Sequence, residues 1–284
     1  MDIERLVIDA NGLTFSARAA GPRNGRPVIL LHGFPQTSWL WRRQLVDLAA
    51  AGYRAVAPDQ RGYSAGARPE GVDAYRVPHL VDDVLAVAQT MEMPSFDLVG
   101  HDWGGMVAWV LAARHPETVR SLVVVSTPHP GALRTVRMSG DDEQAEASRY
   151  VDVFRQPAAP ERLLLGDDGS GSGLRTLFSA SGLTESGTEE YMTALTQPGA
   201  MTAVLNWYRA MNDDDVSELP PVVVPTLYIW STEDTALRRK AAEATAERVA
   251  GRFRFCVLEG VSHWVPEEAP EVLSQLILEH LADA

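Results

Sequence analysis

The sequence contains little cysteine and no long apolar run. Its 284 residues include one cysteine, Cys256, so an intramolecular disulfide and a cysteine-built metal site are both excluded. No apolar stretch approaches the roughly 18–20 residues that a membrane-spanning helix needs. The N-terminal residues include Asp2 and Glu4 and lack the apolar segment of a signal peptide. We therefore expect a soluble, cytoplasmic protein without a membrane partner.

The sequence also contains fewer basic than acidic residues. The chain has 25 Lys+Arg against 38 Asp+Glu, which gives a formal net charge of −13. Because non-specific affinity for nucleic acid comes from clustered Lys and Arg, this balance argues against a nucleic-acid partner. The chain is 45% hydrophobic and 22% charged, which excludes a disordered or fibrous protein. Its length fits one large domain, or one domain with an insertion.

Strands and helices alternate along the first part of the chain. The apolar run at residues 28–31 is typical of a strand buried on both faces. The repeated alternation predicts an α/β fold with a mostly parallel, twisted sheet and helices on both faces. Further strands are predicted near residues 6–8, 13–16, 55–57, 96–99 and 122–125, with helices at 78–91 and 103–115.

The alternation stops after residue 127 and resumes after residue 220. Between them lie helical fragments and a Gly/Ser-rich stretch, 166–173, which we interpret as a mobile loop. A phosphate-binding loop is disfavoured, because no strand precedes the stretch and no lysine accompanies it. Beyond residue 220 we predict strands at 226–230 and 252–258 and helices at 236–249 and 266–281. The chain is thus divided into an α/β core, residues 1–127 and 221–284, and an inserted helical cap, residues 128–220.

The segment VGHDWGG, residues 99–105, has the features of a nucleophile elbow, a tight turn that exposes one side chain above the sheet. Asp102 occupies its apex. Gly100, Gly104 and Gly105 stand where strand and helix come too close for a Cβ atom. A carboxylate at a helix N-terminus is kept ionised, so Asp102 can attack carbon without an activating base. The alternative is that Asp102 only caps the helix.

Two later residues follow Asp102 in the chain order nucleophile, acid, histidine. Asp234 and His263 each come directly after a predicted strand, so both would reach the sheet edge where Asp102 lies. In that arrangement His263 takes a proton from water and Asp234 orients the imidazole ring. Glu233 is an adjacent rival for the acid, and His263 has the alternative of being an ordinary surface histidine.

The turn at residues 32–35 follows the first buried strand. The backbone N–H groups of Phe34 and Trp103 are placed to hold an oxyanion on Asp102. An ordinary turn rich in Gly and Pro is the alternative. The side chains expected to line the substrate pocket are His32, Phe34, Pro35 and Trp103.

Taken together, these segments resemble the α/β-hydrolase fold, and specifically the epoxide hydrolase family, over nearly the whole chain. The matching segments are HGFPQTSWLWRRQL (32–45), DQRGYSAG (59–66), GHDWGG (100–105) and GVSHWVPEEAP (260–270). The resemblance implies that Asp102 is the nucleophile and that the Phe34–Pro35 peptide is cis. The middle of the cap, residues 163–187, has no match to the family.

The resemblance also implies that two cap tyrosines donate hydrogen bonds to an epoxide oxygen. Tyr208 lies in LNWYR (205–209), a close match, and Tyr150 lies in RYVDVFRQP (149–157), a looser one. The alternative is that both tyrosines only pack, with hydroxyls in water. The implied reaction converts a small-molecule epoxide to a vicinal diol through an ester on Asp102. It requires no metal and no organic cofactor, and we expect a monomer or homodimer.

Two other functions remain open. A haloalkane or haloacetate dehalogenase would use the same aspartate, and Trp103 is compatible with halide binding. Haloalkane dehalogenases, however, usually carry Asn or Trp at the position of Phe34, and fluoroacetate dehalogenases usually carry Arg at that of Trp103, so the paired tyrosines favour epoxides. A non-catalytic ligand-binding protein on this fold has no need of an intact triad. An esterase is disfavoured, because Asp102 cannot replace a serine nucleophile.

Overall fold

The computed structural model describes residues 2–179 and 183–284, and the eight strands found there form a single sheet. The strands are β1 Glu4–Ala10, β2 Leu13–Ala20, β3 Arg26–Leu31, β4 Tyr53–Pro58, β5 Phe96–His101, β6 Val119–Val125, β7 Thr226–Ser231 and β8 Phe253–Leu258. Their order across the sheet is β1-β2-β4-β3-β5-β6-β7-β8. β2 pairs antiparallel with β1 and β4, and the remaining neighbours are parallel. The predicted mostly parallel sheet is confirmed.

Helices cover both faces of this sheet. Alternate residues of β3 enter different hydrophobic clusters, Ile29 and Leu31 on one side and Val28 and Leu30 on the other. Because both faces of β3 are buried, its sequence is a continuous apolar run rather than an alternating one. On the first side pack α2 (Val77–Thr90) and α3 (Trp103–Arg114), and on the second pack α1 (Arg42–Ala50) and α13 (Pro270–Ala282).

The described part of the chain between β6 and β7 is helical, as expected for an inserted cap; the exact domain boundaries remain predictions. Several hydrogen bonds fasten this region to the core, two of them from buried aromatic side chains. The Trp207 indole N–H donates to the Arg61 carbonyl at 2.9 Å, and the Tyr191 hydroxyl donates to Glu267 at 2.5 Å. The cap helices are α4 Pro130–Met138, α5 Asp142–Ala147, α6 Arg149–Phe154, α7 Ala159–Leu165, α8 Ser172–Ser179, α9 Glu185–Leu195 and α10 Ala200–Arg209. No helix within the described ranges is long and apolar enough to cross a membrane.

Three predicted elements differ from the structure. The helix predicted at 236–249 is instead α11, Arg239–Ala244, followed by a 3-10 turn; the residues before α11 form a turn whose N–H groups at 236 and 237 bind the Asp234 carboxylate. The closing helix is broken into α12 (Val265–Glu268) and α13, since Pro270 disfavours helical geometry at the residue before it. The last residues of the Gly/Ser-rich stretch are helical and not a loop, because α8 begins at Ser172.

A buried ion pair below the sheet edge gives the first testable prediction. Arg61 and Asp83 are 8% and 6% exposed, and two hydrogen bonds of 2.6 and 2.7 Å join them. The change Asp83→Ala would leave the Arg61 charge buried without its partner, so we expect the free energy of unfolding to fall by about 3–5 kcal/mol. Urea denaturation measures this. The matched control is Asp82→Ala, at an exposed neighbour; equal losses in the two variants would contradict the prediction.

Candidate active site

Asp102 lies at the sharp turn between β5 and α3. Its backbone has φ 52° and ψ −122°, a conformation that residues other than glycine rarely adopt. A Cβ atom at Gly100 would collide with the Gly104 carbonyl, and one at Gly104 would collide with the Leu31 carbonyl, as the elbow prediction requires. The Asp102 side chain makes no capping bond to α3. The helix-cap alternative is therefore wrong, and the carboxylate is free to face the cavity.

A backbone donor contacts one carboxylate oxygen of Asp102. The Phe34 N–H donates to Oδ1 at 2.7 Å, and the neighbouring Trp103 N–H helps to hold the pKa of this carboxylate below its usual value. The approach is possible because residue 33 is glycine: a Cβ atom there would overlap the Asp102 carboxylate. The Phe34–Pro35 peptide is cis, as the resemblance implied. The Phe34 N–H thus contacts Asp102, and the oxyanion-hole role of Phe34 and Trp103 stays a prediction.

The structure brings Asp102, His263 and Asp234 together. His263 Nε2 lies 3.4 Å from Asp102 Oδ2, and its Nδ1–H donates to Asp234 Oδ2 at 2.8 Å. Asp234 is fully buried, and its Oδ1 accepts the N–H groups of Ala236 and Leu237 at 2.8 and 2.9 Å. These bonds hold the acid in one orientation. Its rival Glu233 is exposed to solvent.

The electrostatics of the site favour an ion pair between Asp102 and His263. Burial alone would lower the pKa of His263, but the negative charges of Asp234 and Asp102 outweigh it and raise that pKa to about 10. Burial would likewise raise the pKa of Asp102, but hydrogen bonding to His263, its positive charge and the Trp103 N–H hold that pKa below its usual value. At neutral pH, His263 is therefore an imidazolium between two carboxylates.

One cavity joins Asp102 to both cap tyrosines. Its volume is about 70 Å³, and Asp102, Trp103, Tyr150 and Tyr208 all line it. The Tyr208 ring packs edge-on against Trp103, with ring centroids 5.2 Å apart, and it lies 6.2 Å from the Tyr150 ring. Burial raises the pKa of both tyrosines, and the negative charge of Asp102 raises both further. Both phenols therefore stay protonated at neutral pH.

Comparison with known proteins agrees with this architecture. The profile of the alpha/beta hydrolase fold family matches residues 26–270. The chain is 39% identical to the AB hydrolase superfamily protein YfhM of Bacillus subtilis over 282 residues, 96% of each chain. It is 32% identical to epoxide hydrolase 4 of Mus musculus over 279 residues, 95% of this chain and 77% of that protein. The chain belongs to the epoxide hydrolase family of the α/β-hydrolase fold.

The chain is also similar to a solved structure over nearly its whole length. The Bacillus megaterium epoxide hydrolase in complex with an inhibitor has a TM-score of 0.88 and 27% identity, and the match covers 98% of this chain and 100% of that one. The likeness therefore includes the cap as well as the core.

Of the four residues predicted to line the pocket, Trp103 lines the cavity above Asp102. The Phe34 ring packs edge-on against Tyr208, with ring centroids 5.4 Å apart, and the pocket roles of His32, Phe34 and Pro35 stay predictions. The fully buried His32 ring ties its turn together: Nδ1–H donates to the Gly33 carbonyl at 3.0 Å, and Nε2 accepts the Gln60 N–H at 3.1 Å. Burial lowers the pKa of His32, so the ring is neutral.

Two residues that sequence reasoning missed support the loop that carries His263. The His263 carbonyl accepts a hydrogen bond from His101 Nε2 at 2.9 Å and another from Ser126 Oγ at 3.1 Å. His101 is fully buried, and burial together with the positive charge of His263 lowers its pKa to about 4. The only signal in the sequence for a role of His101 was the position of this residue directly before Asp102.

Possible metal ligands are not clustered in the described part of the chain. Across residues 2–179 and 183–284, no group of three or more His, Cys, Asp and Glu side chains is arranged to hold a metal ion. The acids and the histidine of the site are paired with one another.

Proposed function

We propose that this protein hydrolyses small-molecule epoxides to vicinal diols through an ester on Asp102. The observation that carries the proposal is a single cavity in which an ionised Asp102 faces two protonated tyrosines. Next to Asp102, His263 and Asp234 form a hydrogen-bonded pair of the kind that activates water. The family relationship supports the same reaction class.

In the first step, Asp102 Oδ2 attacks a ring carbon of the epoxide. A bond forms between them, the ring C–O bond breaks, and its electron pair stays on the epoxide oxygen. Tyr208 or Tyr150 donates a hydrogen bond to this oxygen and then its proton as the alkoxide develops. The product is a hydroxyalkyl ester of Asp102. His263 returns a proton to the tyrosinate, which leaves the imidazole neutral.

Ester formation itself prepares His263 to act as a base. The esterified Asp102 has lost its charge, so one of the two carboxylates that raise the pKa of His263 is gone. Neutral His263 then deprotonates a water molecule that attacks the ester carbonyl carbon. The oxyanion forms at Oδ1, where the Phe34 N–H already donates. The alkoxide leaves with a proton from the new carboxylic acid, which restores the starting charges.

Intact-protein mass spectrometry of the variant His263→Gln tests the proposal. Without its base the protein should stall as the ester, so incubation with styrene oxide or an alkyl epoxide should add the mass of the whole epoxide. The double variant with Asp102→Asn should show no adduct. The control His79→Gln changes an exposed histidine and should turn over without accumulating an adduct.

Other outcomes of this experiment favour the alternative functions. An adduct formed with haloalkanes or haloacetates, at the mass of the organic fragment without halide, and none with epoxides would indicate a dehalogenase. Tight ligand binding with neither adduct nor product would indicate a binding protein. Either result would exclude epoxide hydrolysis as the main activity.

A second prediction concerns the leaving-group donor. The change Tyr208→Phe removes the more buried of the two phenols, and we expect ester formation to slow by about 10²-fold, the lower range for loss of a general acid. Single-turnover stopped-flow kinetics measure this step directly. Tyr53→Phe, which removes a hydroxyl outside the cavity, should leave it unchanged. An unchanged rate in Tyr208→Phe would contradict the assigned role.

A further inference from the structure

Strand β1 lies at one edge of the sheet, so only one of its two sides pairs with another strand of the described chain. The strand is seven residues long, pairs with β2 residue by residue without a bulge, and contains no proline. Proteins usually interrupt such an edge with a bulge or a proline, because its unpaired N–H and C=O groups can bind a further strand. The open edge of β1 therefore has the regular geometry that a partner strand needs.

The turn between β1 and β2 determines which residues face the open side. It consists of Asn11 and Gly12, both of which have positive φ. In a two-residue hairpin the pair that flanks the turn is hydrogen-bonded, and bonded and non-bonded pairs then alternate along the two strands. The backbone groups of Arg5, Val7 and Asp9 therefore point to the open side of β1 and not to β2.

Hydrogen bonds elsewhere agree with this assignment. Ser16 and Thr14 are the β2 partners of Val7 and Asp9, and their N–H groups donate to the loop after β4 at 2.9 and 3.1 Å. The Asp9 carbonyl accepts the Thr90 hydroxyl of α2 at 3.1 Å, so it points away from β2. Each carbonyl oxygen has two lone pairs, and the Asp9 oxygen can accept a second donor.

The exposed side chains of β1 are complementary to a second copy of themselves. Arg5, Val7 and Asp9 share the solvent face of the strand, and Val7 at their centre is 75% exposed. Arg5 and Asp9 carry opposite charges, and neither has an ion-pair partner within 4.0 Å among residues 2–179 and 183–284. If two copies run antiparallel about a two-fold axis at Val7, Arg5 of each copy faces Asp9 of the other.

The surroundings of β1 have the same symmetry of charge. A groove of about 320 Å³ runs beside the strand. The exposed Arg23 lines it near Glu4, and the exposed Glu92 lines it near the Thr90 hydroxyl that binds the other end of β1. A two-fold axis exchanges these ends, so it brings Arg23 of one copy toward Glu92 of the other. Because each chain carries a net charge of −13, two copies need such local pairs of opposite charge in order to associate.

We propose that two copies of this chain associate through β1, with the two strands antiparallel about a two-fold axis at Val7. The two eight-stranded sheets then form one continuous sheet, joined by about six backbone hydrogen bonds. On the core side, Leu6 of one copy lies opposite Ile8 of the other and extends the apolar layer. Three strands separate β1 from β5, which leads to Asp102, so each copy keeps its own cavity.

Exchange of charges across the axis tests both the partner and the register. Sedimentation equilibrium of the wild type should show a dimer that dissociates on dilution. Arg5→Asp sets two acids opposite each other and Asp9→Arg sets two arginines. Symmetry repeats each contact, so each change should raise Kd at least about tenfold. The double variant restores opposite charges and should return Kd to within about threefold of the wild type. The control Arg43→Asp, at an exposed arginine of α1, should leave Kd unchanged.

A second variant tests the centre of the interface. Val7→Lys places two ammonium groups at the axis and should give a monomer, with little change in unfolding temperature because the side chain is exposed. Val272→Lys, at an exposed valine of α13, should remain a dimer.

Three results would overturn the proposal. They are a wild type that stays monomeric up to about 1 mM, a dimer that persists in Val7→Lys, and a double charge variant that associates no better than the single ones. In the first case the edge of β1 would be open to an extended segment of a different protein. Since no substrate is involved, the outcome does not depend on the proposed epoxide hydrolysis.

Discussion

The variant Asp102→Asn is expected to lose epoxide turnover by at least about 10⁴-fold while it remains folded. A neutral amide does not attack carbon, so the ester cannot form and no later step begins. Asparagine retains the shape of the side chain, and its carbonyl oxygen can still accept the Phe34 N–H that binds Oδ1 in the wild type. The loss should therefore appear in the chemical step and not in the thermal unfolding temperature.

This variant has a second readout that does not depend on any substrate. Asp102 is one of the two carboxylates that raise the pKa of His263 to about 10. Removing its charge should lower that pKa, which a histidine NMR titration measures. Asp82→Asn, which changes an exposed acid, should alter neither turnover nor the His263 titration. Ester formation in Asp102→Asn, or an unshifted His263, would show that Asp102 is not the nucleophile paired with this histidine.

The variant Asp234→Asn is expected to block the second half-reaction by about 10⁴-fold and to leave the first much less affected. In the wild type, the Asp234 carboxylate accepts the Nδ1–H of His263, which leaves Nε2 to receive a proton from water. An asparagine that keeps its bonds to Ala236 and Leu237 turns its NH₂ group toward Nδ1. The ring then carries its proton on Nε2, the wrong nitrogen for a base that acts at Asp102.

Separate measurement of the two half-reactions distinguishes this effect from a general loss of activity. Rapid mixing followed by mass spectrometry should show ester that forms in Asp234→Asn and then persists. Glu233→Gln is the matched control, because the same amide is introduced one position earlier at an exposed side chain. If Glu233→Gln accumulated ester and Asp234→Asn did not, the acid of the pair would be Glu233.

The high pKa of His263 in the free protein has a physical role in this scheme. A histidine that stays protonated up to about pH 10 is a poor base, but it stabilises the ionised nucleophile beside it. The ester removes the Asp102 charge and with it part of the reason for the high pKa. Each half-reaction thus meets the protonation state that it needs, and the switch between them is the covalent step itself.

Much of the architecture could be predicted because it depends on local rules. Strand β3 had to be an apolar run, since the sheet buries both of its faces. The elbow around Asp102 was recognisable because only glycine fits at residues 100 and 104, where a Cβ atom would strike a carbonyl. Asp234 and His263 could be placed at the same edge, since parallel strands align their carboxyl ends.

Other features depend on contacts between distant parts of the chain and were not predictable. The helix expected at 236–249 begins only at Arg239, after a turn that is held by two backbone N–H groups on the Asp234 carboxylate. His32 is fully buried, and its Nε2 accepts the N–H of Gln60 from another loop, a contact that the sequence did not show. The support of the His263 carbonyl by His101 and Ser126 joins segments more than 130 residues apart.

The sequence by itself therefore determined the fold, the elbow and the residue types of the candidate site, because sterics and periodicity act between near neighbours. Tertiary structure alone decided which groups touch, how far their pKa values move, and which side chains face the cavity. The cavity is the clearest case: Met106 of α3, Tyr150 of the cap and Ala236 after β7 line it together, and only the packing of the cap over the core brings them to Asp102. Charge, distance and burial are properties of the assembled chain, since each depends on residues that the sequence separates.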